Sequence, residues 1–313
     1  SVAGRPSSMS SPELRRRQGP SKGMQDADGS ESLAGDGAKP SAASAVSRFW
    51  PFITLTESSE FNKMVSFGAI MVVICGLAET ASSTEYGRFG DGAKLAVDPR
   101  LGWWLMELPC SAVFLYFFFA RGGRQARHPM PLFCAFVFCC HYLYRGWVFP
   151  YLLRTHGGSR NFSLTPALGG WAATIPHGYM NACWFAEHGK HLARGRGWHR
   201  TLRFRLGVFL YYSGFAMLVW HDKLVRDLRA EPGPRYRIPV GGLFDYVTCA
   251  QYFVELWTWA GFALMSCGPN GLYILLVSVV NLVPRAARTH AWYVEKFGAE
   301  YPADRRYLLP FLW

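Results

Sequence analysis

Apolar and polar positions along this chain fall into blocks. Residues 1–48 are almost wholly Ser, Gly, Ala, Pro and charge, with no apolar period, while the remainder alternates long apolar runs with short basic ones. Runs such as LPCSAVFLYFFFA, PLFCAFVFCC and GLYILLVSVVNLV are apolar on every face of a helix, as a hydrocarbon surrounding demands. Stretches near bilayer length lie at 64–78, 101–120, 131–153, 166–186, 204–220, 250–267 and 271–283, the first and last being short. The pattern predicts an all-α integral membrane protein with seven transmembrane helices. It also divides the chain into a low-complexity arm, 1–48, expected to be disordered, and a membrane domain, 49–313. The arm has no apolar core like that of a signal peptide, and its start at Ser1 reads as a trimmed or partial chain.

Composition alone points elsewhere. A mean hydropathy of +0.05 over 313 residues resembles a soluble basic protein, but it averages a polar arm with apolar spans and basic loops. The 12 Trp, 15 Tyr and 23 Phe exclude disorder of the whole chain. The eight cysteines lie in or beside apolar runs without a Cys-x-x-Cys pair, so they read as reduced, buried, small hydrophobes rather than a disulfide scaffold. Of the net charge of +12, the arm contributes +2 and the rest of the chain +10. No zinc-finger, RNP-type or helix-turn-helix pattern accompanies that charge, which excludes nucleic acid and assigns it to membrane lipid head groups or a phosphorylated ligand. Odd-numbered loops and the C-terminal tail hold more Lys and Arg than the even loops, placing the C-terminus in the cytosol by the positive-inside rule. With seven spans, the Asn161-Phe162-Ser163 sequon then faces the cytosol and is idle.

The informative residues are ionisable groups inside the spans: Glu107, His141, Arg145 and Glu255, with His177 and Asp222 near span ends. Each costs at least about 2.5–3.5 kcal/mol near the bilayer centre, so together they mark a polar cavity enclosed by the helices. Burial keeps a carboxylic acid and a phenol neutral, and Glu107 paired with Tyr142 would donate to a carbonyl oxygen and polarise an enone. The other reading pairs Glu107 with Arg145 and leaves Tyr142 as an interfacial anchor, and residue types do not choose between them. A second concentration, Asp222 to Arg237 followed by Gly241-Gly242, suits a phosphate-rich cofactor, with guanidinium forks on the phosphates and backbone amides approaching at the glycines. Neither a Gly-x-Gly-x-x-Gly nor a Walker loop is present. Arg154, just after the third span, is a further candidate phosphate contact.

Arg235-Tyr236-Arg237-Ile238-Pro239-x-Gly241-Gly242-Leu243-Phe244-x-Tyr246-Val247, Glu255 with Trp259, Asn281-Leu282-x-Pro284-Arg285-Ala286, Trp292-Tyr293, Tyr301-Pro302 and Leu309-Pro310-Phe311 closely resemble the C-terminal half of the steroid 5α-reductases. The resemblance runs more thinly upstream through Glu107-Leu108-Pro109 and His141-Tyr142-x-x-Arg145 to Tyr86, covering roughly 86–313. It implies a seven-helix enzyme of the endoplasmic reticulum that uses NADPH to reduce the Δ4 double bond of a lipophilic 3-oxo steroid, with no metal. Glu107 and Tyr142 would hold the 3-oxo group. Tyr86, Arg145, Asp222, Arg229, Tyr236, Arg237, Gln251, Glu255, Arg285, His290 and Tyr293 fall where the family contacts or frames the dinucleotide.

Several positions depart from the family's pattern: Met106 where animal members have Gln, Leu218 and Gln251 where Asn is usual, Thr258 for an acid, and Thr289 for the first of two histidines. Each lost hydrogen bond is worth about 0.5–1.5 kcal/mol. Conjugate hydride addition equally describes a trans-2-enoyl-CoA reductase, the nearest alternative. Phe297-Gly298-Ala299-Glu300-Tyr301 also resembles the end of isoprenylcysteine-type membrane methyltransferases, which lack Gly241-Gly242-Leu243-Phe244 and carry Arg-His-Pro instead. His188-x-x-His191 prompts a di-iron reading, but the other histidines stand singly where several clustered boxes are needed.

Overall fold

The computed structural model describes residues 55–81, 85, 87–90, 95–123, 125–155, 160–194, 197–230 and 232–312. The arm at 1–48 and Tyr86 lie outside them. Helices dominate: α1 (Ser59–Ala81), α2 (Pro99–Ala120), α3 (Pro129–Leu152), α4 (Leu164–Cys183), the short α5 (Lys190–Arg194), α6 (Leu202–Leu228), α7 (Ala250–Ser266) and α8 (Pro269–Phe297). Their starts follow local chemistry. Asp98 accepts from Arg100 N at 2.8 Å with Pro99 opening α2, Ser163 caps Thr165 N at 3.2 Å, and Thr201 caps Phe204 N at 3.2 Å.

Five of these segments, α1, α2, α3, α6 and Pro269–Glu300, are long and apolar enough to cross a membrane. Their outward faces bear Phe67, Ile70, Val73, Ile74 and Leu77 on α1, Leu115, Tyr116 and Phe119 on α2, and Leu206 and Phe209 on α6, all exposed. So much exposed apolar surface is costly in water and natural against lipid.

Inside, an aromatic core joins α2, α3, α4, α6 and α7. Phe114 and Phe138 stack with centroids 4.3 Å apart, and Phe138 leads on to Tyr142 at 4.8 Å. α6 and α7 touch backbone to backbone: a Cβ on Gly207 would lie 2.7 Å from Met265 N. A two-residue antiparallel pair, β1 (Ala96–Val97) with β2 (Phe162–Ser163), ties the loop before α2 to the start of α4. Asn161 Nδ2 donates to Gly87 O at 3.0 Å, so the sequon amide is part of this tie.

The helices extend beyond the apolar runs. The last stretch, predicted to end at 283, continues as α8 to Phe297. Hydropathy loses it because its inner face becomes polar while keeping helical spacing, with Leu282, Arg285, Thr289 and Tyr293 all buried.

Two joined pockets form a candidate active site

Three inward stripes, each at helical spacing, and one arginine converge below the loops that carry Arg88 and residues 234–249. On α6 the stripe is Leu218, Asp222, Val225 and Arg229, on α7 Gln251 and Glu255, and on α8 Arg285, Thr289 and Tyr293, with Arg145 from α3. They line a strongly cationic pocket, in which, among the described residues, eight arginines (Arg88, Arg145, Arg154, Arg226, Arg229, Arg235, Arg237 and Arg285) share the lining with two acids, Asp222 and Glu255. A second pocket lies further along the same helices. It is lined by Met106 and Glu107, His141, Tyr142 and Arg145, Gly170, Ala173, Thr174 and His177, Glu255 and Trp259, and Ile274, Val277, Ser278, Asn281 and Leu282. Arg145 and Glu255 belong to both. The α8 stripe turns from apolar and neutral to cationic at Arg285, where one pocket gives way to the other.

Arg145 is the hinge of this arrangement. It sits in a π-helical turn, Leu143–Val148, a deviation common at functional sites. Its guanidinium spans two carboxylates, Nη1 to Asp222 Oδ2 at 3.9 Å and Nη2 to Glu255 Oε2 at 3.5 Å. It also lies over the rings of Trp103 (4.9 Å) and Phe149 (5.0 Å). Asp222 accepts in addition from Tyr144 Oη at 3.1 Å. Gln251 lines the same pocket, at the position where the family usually has Asn.

Both ion pairs of Arg145 go to Asp222 and Glu255, and none goes to Glu107, so the Glu107–Arg145 salt bridge does not form among the described residues. Glu107 Cβ faces the position of the π turn at Gly146, 3.6 Å from a Cβ built there. Glu107 and Tyr142 share the second pocket, and the buried Cys110 lies one turn beyond Glu107 on α2.

Ten of the candidate dinucleotide residues line the cationic pocket: Arg145, Arg154, Asp222, Arg229, Tyr236, Arg237, Gln251, Glu255, Arg285 and Tyr293. His290 lies behind its wall, where Nδ1 meets Thr248 Oγ1 at 2.6 Å. The Gly241-Gly242 turn serves differently from the expectation that its amides approach phosphates. Both residues have positive φ (91° and 59°) and neither lines the pocket. Gly241 N donates to Asp245 Oδ1 at 2.7 Å, and the first amide after the pair, Leu243 N, donates to His221 Nε2 at 3.1 Å. The glycines shape the loop that carries Tyr236 and Arg237.

Sequence reasoning missed Arg88, counted there only as loop charge. It lies over Trp292 (4.7 Å) and Tyr293 (4.5 Å), and among the described residues its Nη1 is buried without a hydrogen-bond partner. The C-terminal tail was missed too. Thr248 N donates to Arg306 O (2.8 Å), Arg306 N to Tyr246 O (2.9 Å), and Arg305 Nη1 to Pro239 O (3.0 Å), strapping the loop that walls the pocket. His188 and His191 belong to no group of three potential metal ligands among the described residues.

A family model described as 3-oxo-5-alpha-steroid 4-dehydrogenase matches residues 160–313. Among curated proteins, a steroid 5-alpha-reductase of Solanum lycopersicum is 29% identical over 262 residues, covering 82% of this chain and 99% of the relative. The 3-oxo-5-alpha-steroid 4-dehydrogenase 1 of Rattus norvegicus is 31% identical over 264 residues (84% and 99%), and that of Mus musculus 35% over 243 residues (77% and 91%). With relatives above 30% identity matched over nearly their whole length, the chain belongs to the 3-oxo-5-alpha-steroid 4-dehydrogenase, or steroid 5-alpha-reductase, family of oxidoreductases acting on CH–CH bonds.

Proposed function

We propose that this protein reduces the Δ4 double bond of a 3-oxo steroid with NADPH, within a seven-helix membrane domain spanning 49–313. The observation that carries the reading is the shared wall of the two pockets. A cationic pocket and an apolar pocket bearing an acid and a phenol meet at Arg145 and Glu255, so a ligand in each would present its reactive end to the other.

The cationic pocket suits a phosphate-rich dinucleotide. Among the described residues, Arg88 Nη1 is a buried N–H with no hydrogen-bond partner, and the lining brings several guanidinium groups together in forks that suit phosphates. Arg88, Arg154, Arg229 and Arg237 would take phosphates, and Asp222, Gln251 and Glu255 would meet the uncharged end. Such a cofactor supplies a hydride when bound, and NADPH is the member of the class implied by the family resemblance. The chain's own task is at the enone: Glu107 and Tyr142 donate to the 3-oxo oxygen and stabilise the negative charge that develops there. Apolar walls from Ala173, Ile274, Val277 and Leu282 suit the steroid skeleton and keep water out.

The rival readings gain less support. Phe297-Gly298-Ala299-Glu300-Tyr301, the methyltransferase-like run, closes α8 and lines neither pocket. An enoyl-CoA would bring its own phosphates to compete for the arginines. The C-terminus is assigned to the cytosol, where NADPH is supplied, and the membrane to the endoplasmic reticulum. The test is NADPH consumption by the full chain in detergent with a Δ4-3-oxo steroid and, separately, a trans-2-enoyl-CoA. Consumption with the steroid supports the reading. Consumption with the thioester alone replaces it, and S-adenosylmethionine binding without consumption overturns it.

A further inference from the structure

The second pocket holds more hydrogen-bonding capacity than Glu107 and Tyr142 account for. Among the described residues, His177 Nε2 and Trp259 Nε1 are buried without a hydrogen-bond partner, and both side chains line it. His177 stands beside the phenol, with ring centroids 5.7 Å from Tyr142, and Trp259 stands beside His177 at 5.5 Å. An unmet buried donor costs about 1–3 kcal/mol, so such a group persists where it has a use.

The neighbours of His177 fix which nitrogen carries its proton. Asn181 Nδ2 lies 3.0 Å from His177 Nδ1 and donates to His177 O at 2.8 Å, while Asn181 Oδ1 accepts from Asn270 Nδ2 at 2.7 Å. With Oδ1 taken by Asn270, the amide offers His177 a donor. Nδ1 therefore accepts, and the proton stays on Nε2. All three residues are fully buried, and the line leads from the first turn of α8 through α4 to the pocket. It holds one imidazole in one tautomer with an N–H left for a ligand.

We propose that His177 is a further catalytic donor of this site, acting through Nε2–H on the same substrate oxygen as Glu107 and Tyr142, with Asn181 and Asn270 as positioning residues. The inference rests on the proposed enone reduction. In that reaction a hydride forms the new C–H bond at the β-carbon, and the π electrons move to leave negative charge on the 3-oxo oxygen. The reduced dinucleotide is thereby oxidised, and a proton from water completes the α-carbon. Charge on oxygen exists only between these two events, so a third donor, here an N–H beside two O–H groups, favours the transition state over the bound substrate.

The test uses the full chain in detergent with NADPH and a Δ4-3-oxo steroid, comparing His177→Phe, which keeps a ring without N–H, with His177→Gln, which restores a donor. Phe should lower kcat by about 10²–10³-fold with little change in KM, the loss expected for one such donor. Gln should recover at least about tenfold of it, and Asn181→Leu should lower kcat without weakening NADPH binding, measured by fluorescence. Wild-type kcat in His177→Phe, a loss confined to KM, or no recovery by Gln with NADPH binding intact would overturn the assignment. If wild-type protein reduces no enone, the proposed function falls and this inference with it; if wild type is active and His177→Phe is unimpaired, only this inference falls.

Discussion

Arg145→Met leaves Asp222 and Glu255 facing each other without the guanidinium that now spans them at 3.9 and 3.5 Å. Stranding buried charge by deleting its partner costs about 3–5 kcal/mol. The lost stacking over Trp103 and Phe149 adds about 0.5–2 kcal/mol. A total near 4–6 kcal/mol should lower the thermal midpoint by roughly 10 °C or more in a chain of this size, at about 2–4 °C per kcal/mol. Arg145→Lys keeps the charge but not the fork, and should fall about midway. The assay is tryptophan fluorescence on heating in detergent, read beside NADPH binding, because Arg145 walls both pockets. Adding Glu255→Gln to Arg145→Met removes one stranded carboxylate and should recover about 1–3 kcal/mol. An unchanged midpoint in Arg145→Met, or a double variant worse than the sum of the two single ones, would refute the reasoning.

Further expectations concern other parts of the molecule. Glu107→Gln and Tyr142→Phe should each lower kcat about 10²–10³-fold while NADPH affinity stays within a few-fold, in single-turnover and binding measurements. Arg305→Met orphans Pro239 O and loosens the wall loop, so NADPH should bind about tenfold more weakly with the helical far-UV signal unchanged. Gly207→Val drives side-chain atoms into the α7 backbone and should cost about 1–3 kcal/mol or more, visible as lost thermal stability and expression. His191, on α5, is held below its ordinary pKa by burial, so the unfolded chain binds its proton first on acidification. Stability should therefore fall as pH drops below about 6.5, and His191→Gln should blunt that fall in pH-dependent melts.

Much of this architecture was legible because lipid demands long apolar runs, and runs such as 101–120 and 131–153 became helices nearly where they were read. What hydropathy lost is the second half of α8, where Arg285, Thr289 and Tyr293 keep helical spacing but break the apolar pattern. The cationic pocket was legible as arginine density between Asp222 and Arg237, yet the neighbouring glycines were misread. Positive φ at Gly241 and Gly242 is a property of the folded loop, and sequence does not reveal that His221 and Asp245 occupy the amides there. Arg88 was invisible because its role depends on the tie between Gly87 and Asn161. His177 read as one ionisable group among several, since its tautomer is set by Asn181 and Asn270, the latter 89 residues from Asn181.

The most direct test of the central claim follows the label through the reaction. NADPH carrying deuterium at the transferable C4 position is incubated with the full chain and a Δ4-3-oxo steroid, and the product is read by mass spectrometry and NMR. The account predicts a saturated 3-oxo steroid with one deuterium at the former β-carbon, and, with unlabelled NADPH in D2O, one at the α-carbon instead. No saturated product, or a saturated product without the label at the β-carbon, would contradict it.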